Sequence, residues 1–226
     1  MIPKDFKILS HYMENSTIKY IREIVPSIES ECYENPKSPF ANWIIPNFAM
    51  AGIYPYVDGI NIKTHEEAER NFKYLQEDGI NTFICLQAEI NCNGASIKGH
   101  PYFPEYEWYK KHHPNINFHF FPIIDGGTTS NDNICAVIGV ILNHIASGDR
   151  VYIHCAGGHG RTGMIAACLL KTIYSHITMS SLLETVQALH DTRQIPDQRT
   201  AQFQYRVKSP NSRVQIQSCY EYEKHL

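Results

Sequence analysis

A ten-residue segment from His154 to Gly163 holds the residue types that phosphate chemistry needs. It reads His-Cys-Ala-Gly-Gly-His-Gly-Arg-Thr-Gly and places Cys155 six residues before Arg161. A cysteine thiolate is a strong nucleophile, and the planar guanidinium of arginine binds two phosphate oxygens at once. The segment therefore predicts a site where a nucleophilic sulfur and an anion-binding arginine act on one phosphate.

The residues around Cys155 explain how such a loop would bind an anion. Apolar patterns predict a buried strand at Arg150–His154 and a packed helix at Gly163–Tyr174. A loop between a strand and a helix N-terminus directs backbone amides at one centre, and glycines leave room for a tetrahedral anion. The amides, the helix dipole and Arg161 all favour the thiolate. The predicted phosphate-binding residues are Ala156, Gly157, Gly158, His159, Gly160 and Arg161.

Two further side chains flank the cysteine. The hydroxyl of Thr162 is placed to donate a hydrogen bond to the sulfur, which would help the thiolate leave a phosphocysteine. His154 lies on the predicted strand, so we expect it to fix the loop by hydrogen bonding rather than to act as a base.

A proton donor is needed because cleavage of a phosphate ester leaves an alkoxide or a phenoxide. Asp125 follows the β-rich segment Asn117–Ile123 and lies 30 residues before the cysteine. Gly126 and Gly127 come next and would let the loop close over a substrate. Asp132 is the alternative, although it stands where a helix N-cap is expected. We therefore predict that Asp125 is the general acid.

Apolar periodicity and capping signals predict the elements that position these residues. Strands that alternate with helices indicate a single α/β domain with a largely parallel sheet covered on both faces. The other predicted elements are a helical piece at Ser16–Val25, a helix from the capping box Thr64-x-x-Glu67 to Gly79, a strand at Ile80–Leu86, a helix carrying Ile134 to Ile145, a helix at about Ser180–His190 with the box Ser181-x-x-Glu184, and a final helix that begins near Asp197.

Composition excludes several classes of function. The 226 residues are 43% hydrophobic, and 20 Lys and Arg against 23 Asp and Glu give a formal net charge of −3, so nucleic-acid binding is not expected. The longest apolar runs are seven residues, far short of the ~20 that a membrane-spanning helix needs. No secretory signal is visible, and the seven cysteines form no Cys-x-x-Cys pair. We expect an intracellular, cytoplasmic protein.

The segment 154–163 resembles the loop of the cysteine-dependent protein phosphatase superfamily, His-Cys-x-x-Gly-x-Gly-Arg-(Ser/Thr)-Gly, at every fixed position. Asn42–Pro55 and Gly79–Glu89 are similar to segments of the atypical dual-specificity phosphatases. The resemblance implies a single-domain protein tyrosine phosphatase-like fold with a mostly parallel central sheet flanked by helices. It divides the chain into an N-terminal extension, a catalytic domain and a C-terminal tail, at residues 1–38, 39–208 and 209–226.

The resemblance also implies an activity, which is phosphomonoester hydrolysis through a phosphocysteine, without metal or cofactor. The expected substrate is a phosphorylated protein, on phosphotyrosine and on phosphoserine or phosphothreonine. Gln202 resembles the glutamine that orients the attacking water in relatives, with Gln198 as a competitor. The alternatives are a phosphoinositide, inositol-phosphate or RNA 5′-phosphatase, and a non-catalytic module that binds phosphoproteins.

Other cysteines and histidines suggest further chemistry. Cys85 is a candidate for a reversible disulfide with Cys155, as second cysteines form in relatives, although a core strand cysteine is the simpler interpretation. The aromatic segment 92–116 occupies the position of a variable insertion near the active-site rim. Four of its residues match no usual zinc spacing, so no metal site is predicted; they are Cys92, His100, His112 and His113.

Overall fold

The computed structural model describes residues 16–28, 36–55, 65–89, 114–194 and 207–226. Within them a five-stranded sheet has the order β1-β2-β5-β3-β4. Only β1 and β2 pair antiparallel; the other three pairings are parallel, which confirms the predicted mostly parallel sheet. The strands are β1 Ala41–Ile45, β2 Ala49–Gly52, β3 Thr82–Gln87, β4 Asn117–Ile123 and β5 Val151–His154.

Helices cover both faces of this sheet. The described helices are α1 His65–Glu77, α2 Asn131–Ala146, α3 Gly160–Ile173, α4 Met179–His190 and α5 Arg213–His225, and residues 16–24 are also helical. Among these described helices, none combines the length and the apolar character needed to cross a membrane.

Alternate residues of the central strands enter two separate hydrophobic clusters. Phe83 and Tyr152 face α1, whereas Ile84 and Ile153 face α2, α3, α4 and α5. This alternation is expected because successive side chains of a strand point to opposite faces. Since both faces are buried, the strands carry continuous apolar runs, as is typical of parallel sheets.

Several predicted boundaries differ from the structure. Ser130 caps α2, so Asp132 lies in the first turn and not at the N-cap. Thr178 caps α4, so the capping box predicted at Ser181 is wrong. The helix α3 begins at Gly160, three residues earlier than predicted, because the phosphate-binding segment itself winds into the first turn.

Described residues from both the predicted N-terminal extension and the predicted C-terminal tail pack on the same core as the central residues. In the predicted N-terminal extension, Ile21 and Val25 belong to the larger hydrophobic cluster. In the predicted tail, α5 contributes Cys219 and Tyr222 to that cluster. The helix expected near Asp197 lies outside the described residues.

The strand directions explain why the predicted catalytic residues converge. Since β3, β4 and β5 are parallel, their carboxyl ends meet at one edge of the sheet. Glu89 follows β3, Asp125 follows β4 and Cys155 follows β5. Open α/β sheets bind ligands at this edge, so the topology brings together residues that are far apart in the sequence.

Candidate active site

Cys155 is the first residue after β5 and opens the phosphate loop, which we define as residues 155–161. Its side chain is buried, and the thiol is free. Gly158 has a φ of +68°, and a Cβ at this position would overlap the carbonyl oxygen of Gly52. Only glycine accommodates this combination of conformation and close approach.

Three carbonyl groups of the phosphate loop accept hydrogen bonds from outside it. Ala156 O accepts from Tyr54 N at 3.1 Å, Gly158 O from Arg193 Nη2 at 3.0 Å, and His159 O from Ser209 Oγ at 3.1 Å. In a planar trans peptide the carbonyl and the following N–H point in opposite directions. Because these carbonyls are bound to groups outside the loop, we infer that the amides of Gly157, His159 and Gly160 point away from those groups. That the loop binds an anion stays a prediction.

Arg161 is almost fully buried and carries four hydrogen bonds from its two terminal nitrogens. Nη1 donates to Glu89 Oε2 at 2.6 Å and to Ile123 O at 2.9 Å. Nη2 donates to Glu89 Oε1 at 2.8 Å and to Asp125 Oδ1 at 3.0 Å. The paired contact with Glu89 has the two-pronged geometry in which a guanidinium is held most rigidly.

The ion pair shifts both partners toward their charged forms. Burial opposes ionisation of Glu89, but the hydrogen bonds and charge of Arg161 outweigh burial and lower the pKa of this carboxyl. Burial likewise disfavours the charge on Arg161, yet the hydrogen bonds of Glu89 and the surrounding negative charge raise its pKa. The guanidinium is therefore a fixed positive charge at the edge of the phosphate loop.

Asp125 lies on the acid loop, which we define as residues 124–128. The Asp125 side chain is 68% exposed, and its carboxyl forms an ion pair with Arg161. The predicted general acid therefore lies beside the arginine that is predicted to bind phosphate, and its carboxyl faces solvent. The alternative, Asp132, lies in the first turn of α2.

Thr162 and His154 differ from expectation. The Thr162 hydroxyl is buried and has no hydrogen-bond partner among the described residues, so the predicted bond to the Cys155 sulfur is not formed. Neither ring nitrogen of His154 has a partner in the described part of the chain. The ring instead stacks on Tyr54 and Tyr152 at centroid distances of 5.6 and 5.7 Å, and burial lowers its pKa to about 3. It supports the loop by packing as a neutral imidazole.

A second neutral histidine supports the loop from α4. His159 Nδ1 lies 2.7 Å from His190 Nε2. Burial, with the charge of Arg193 next in importance, lowers the pKa of His190 to about 3. Arg193 also donates from Nε to Asn42 Oδ1 at 2.8 Å, which ties the phosphate loop to β1.

Gln202 and Gln198 lie outside the described residues. A different glutamine, Gln215 at the start of α5, is buried between the two loops. Its Nε2 donates to Gly127 O at 3.1 Å, and a Cβ on Gly160 would come within 2.8 Å of its amide.

The remaining sequence candidates add no second chemistry among the described residues. Cys85 is buried and is a free thiol, and burial raises its pKa to about 12. This disfavours the reactive thiolate, and the disulfide with Cys155 stays a prediction. The four residues considered for zinc all lie outside the described residues. Across the described ranges, no group of three or more suitable side chains could hold a metal ion.

Four residues around the site were not found from the sequence: Glu89, Arg193, Ser209 and Gln215. Two of them carried a usable signal. Glu89 follows a predicted parallel strand, where ligand-binding side chains collect. Ser212-x-x-Gln215 matches the capping-box pattern, and the structure forms that box. For Arg193 and Ser209 the sequence has no local signal.

Known proteins resemble this chain in sequence and in fold. Residues 39–206 match the family model described as PTP-SAK, Swiss Army Knife protein, DSP-PTPase phosphatase domain. Protein 067L of Invertebrate iridescent virus 3, whose name describes a tyrosine phosphatase, is 29% identical over 123 residues, 53% of this chain and 45% of that protein. Cyclin-dependent kinase inhibitor 3 of Homo sapiens is 30% identical over 87 residues, 38% of this chain and 40% of that protein. The chain thus spans less than half the length of these relatives.

Solved structures show the same fold. The crystal structure of Tk-PTP in the active form superposes with a TM-score of 0.58 and 19% identity, over 83% of this chain and 99% of that one. This likeness confirms the protein tyrosine phosphatase-like fold.

Proposed function

The chain belongs to the DSP-PTPase family of phosphatase domains, and from that premise we propose that it hydrolyses phosphomonoesters through a phosphocysteine on Cys155. The preferred substrates are phosphorylated proteins, on phosphotyrosine and on phosphoserine or phosphothreonine. The observation that carries the proposal is the meeting of Asp125 with Arg161, 3.0 Å apart, at the edge of the loop that Cys155 opens.

In the first step the Cys155 sulfur attacks phosphorus and the bond to the leaving oxygen breaks. Arg161 and the inward amides of residues 156–161 hold the equatorial oxygens, where charge concentrates in the transition state. Asp125 gives its proton to the leaving oxygen. The buried Thr162 hydroxyl has no partner among the described residues. It can donate a hydrogen bond to the Cys155 sulfur when that sulfur leaves phosphorus.

In the second step water attacks the phosphocysteine, and Asp125, now ionised, accepts its proton. Gln202 was the glutamine predicted to orient this water. Gln215 is the better supported candidate, because its amide contacts the acid loop at Gly127 and packs against Gly160. Loss of the true water-orienting glutamine should slow hydrolysis of the phosphocysteine and leave its formation intact. A burst of phenol release in Gln215→Ala, absent from Gln202→Ala, is the expected result.

The test of the activity is the hydrolysis of phenyl phosphate, whose leaving group needs a proton, in EDTA and with single-turnover resolution. We expect turnover that survives EDTA, is undetectable in Cys155→Ser and falls by about 10²–10⁴-fold in Asp125→Asn. Asp132→Asn is the matched control, since it removes a nearby carboxylate from the first turn of α2. Its activity should equal that of the wild type.

Two outcomes would contradict the proposal. Equal losses in Asp125→Asn and Asp132→Asn would remove Asp125 from its role as acid. A folded wild-type protein that binds phosphate but shows no turnover would favour the non-catalytic phosphoprotein-binding alternative. Parallel assays with phosphotyrosine peptides, phosphoserine peptides and inositol phosphates would separate the substrate classes.

A further inference from the structure

The three residues that follow Asp125 on the acid loop are hydrogen-bonded to one face of α5 and its N-cap residue. These three residues are Gly126, Gly127 and Thr128. Gly126 O accepts from Ser212 Oγ at 3.0 Å, and Gly127 O accepts from Gln215 Nε2 at 3.1 Å. Thr128 Oγ1 donates to Ser218 Oγ at 2.7 Å. The partners on the helix side are spaced by three residues, and side chains at this spacing share one helix face.

The helix α5 is itself fixed to the phosphate-loop side of the molecule. Ser212 and Gln215 form a capping box that sets its first turn. Farther along, Tyr222 OH lies 2.8 Å from Thr172 Oγ1 on α3, the helix that carries Arg161. The acid loop is therefore tied, through α5, to the same helix that holds the phosphate-binding arginine.

Among the described residues, the acid loop has two other side-chain contacts with the rest of the domain: the ion pair of Asp125 with Arg161 and the hydrogen bond from Thr128 Oγ1 to Met164 Sδ on α3 at 3.3 Å. Asp125 is largely exposed. Gly126 has a φ of +72°, and a Cβ there would meet nothing within 4 Å. Gly126 and Gly127 are predicted to let this loop close over a substrate, and in the structure their carbonyls accept hydrogen bonds from Ser212 and Gln215.

We propose that Ser212 and Ser218 are positioning residues for the general acid, because their hydroxyl groups hold the acid loop in the place where Asp125 reaches the leaving oxygen. This inference rests on the proposed function, in which Asp125 is that acid. It assigns a catalytic purpose to residues beyond 206, where the family match ends.

The test is the dependence of kcat/KM on the leaving group. A general acid matters most for poor leaving groups and least for phenols that leave without a proton. We expect Ser212→Ala and Ser218→Ala each to lose about two- to tenfold on phenyl and alkyl phosphates, to lose more when combined, and to keep wild-type activity on a nitrophenyl phosphate. Ser212→Thr should restore activity, because it retains the hydroxyl.

Thr178→Ala is the matched control. It removes an N-cap hydroxyl from α4 and costs helix stability without touching the acid loop, so its losses should be the same for every leaving group. Activity on the nitrophenyl ester reports that each variant is folded.

Asp125→Asn separates this inference from the proposed function. If Asp125→Asn loses activity steeply on poor leaving groups while Ser212→Ala, Ser218→Ala and the double variant lose equally on all, the positioning role is overturned and the acid stands. If Asp125→Asn shows no such dependence, the acid assignment fails and this inference fails with it.

Discussion

The phosphate loop and the acid loop meet at Arg161, yet they are held in place by different means. Carbonyls of the phosphate loop accept hydrogen bonds from Tyr54 N and from the buried or half-buried side chains of Arg193 and Ser209. The acid loop is largely exposed, and side chains of α5 hold it.

The difference follows from what each loop has to do. The phosphate loop presents several amides at once, so every peptide plane must be fixed, and errors of about 1 Å in such an array are costly. In the proposed mechanism, the acid loop presents one carboxyl group, which has to exchange a proton with solvent in each turnover. A buried, rigid loop suits the first task, and an exposed loop with a few specific restraints suits the second.

Two glycines with nearly the same backbone conformation make this comparison testable. Gly158 and Gly126 have φ values of +68° and +72°. A Cβ at Gly158 would overlap the Gly52 carbonyl, whereas a Cβ at Gly126 would meet nothing within 4 Å. We expect Gly158→Ala to lower kcat/KM by about 10²-fold or more. Gly126→Ala should cost only the local strain of a left-handed alanine, about 1–2 kcal/mol.

The measurement is kcat/KM on an aryl phosphate together with the free energy of unfolding for both variants. Equal losses of activity in the two alanine variants would mean that the shared left-handed conformation accounts for both losses, and that the close packing around Gly158 does not distinguish the loops.

Arg193 gives the second test, on the hydrogen bonds of the phosphate loop. Arg193→Met removes the charged donor to Gly158 O, and such hydrogen bonds are worth about 1.5–3 kcal/mol. The inhibition constant of inorganic phosphate should therefore rise about ten- to hundredfold in Arg193→Met. The constant of Arg193→Lys should lie between those of the wild type and Arg193→Met.

Arg150 is the matched control for this test. Its Nη1 donates to Asp78 O at 2.8 Å, at the opposite end of the sheet. Arg150→Met should lower stability and leave phosphate inhibition unchanged. Weaker phosphate binding in Arg150→Met would show that general loss of stability explains the Arg193 result.

The same contrast explains which parts of the site could be predicted from the sequence. The last residue of β5, the nucleophile, Arg161 and the glycines lie within the ten residues 154–163, so their types and spacing carry the chemistry. The partners of this loop are remote: Glu89 is 72 residues from Arg161, and Ser209 is 50 residues from His159. Such contacts depend on how the elements pack, which spacing does not encode.

The C-terminal helix was missed for a related physical reason. Its buried positions include polar residues that face the acid loop, among them Gln215 and Ser218. A helix that buries hydrogen-bonding groups lacks the apolar periodicity by which helices are recognised. Its capping box, Ser212-x-x-Gln215, was the available signal.

Glu89 gives a test that uses the pH dependence of stability, because its ion pair fixes Arg161, the residue at which the two loops meet. Arg161 lowers the pKa of Glu89 below the ordinary 4.5 despite burial. A carboxyl with a lowered folded-state pKa stabilises the fold above its unfolded pKa and loses that contribution as pH falls through the folded value. Glu89→Gln should therefore be less stable than the wild type by about 1–3 kcal/mol near pH 7, and the difference should shrink below pH 4.5. Denaturant unfolding across this range measures it, and a gap independent of pH would contradict the prediction.

The last prediction concerns His190, which supports the phosphate loop through His159. Burial lowers the pKa of His190 from 6.5 to about 3. The unfolded chain then binds the proton more tightly, so the stability from the neutral imidazole is complete above pH 6.5 and is lost as pH falls from 6.5 toward 3. The wild type should lose up to about 1.4 kcal/mol per pH unit relative to His190→Gln in this window. The exposed His176, changed to Gln, is the control. The free energy of unfolding at each pH measures the effect. If it falls equally with pH in the wild type and in both glutamine variants, neutral His190 does not contribute the predicted stability.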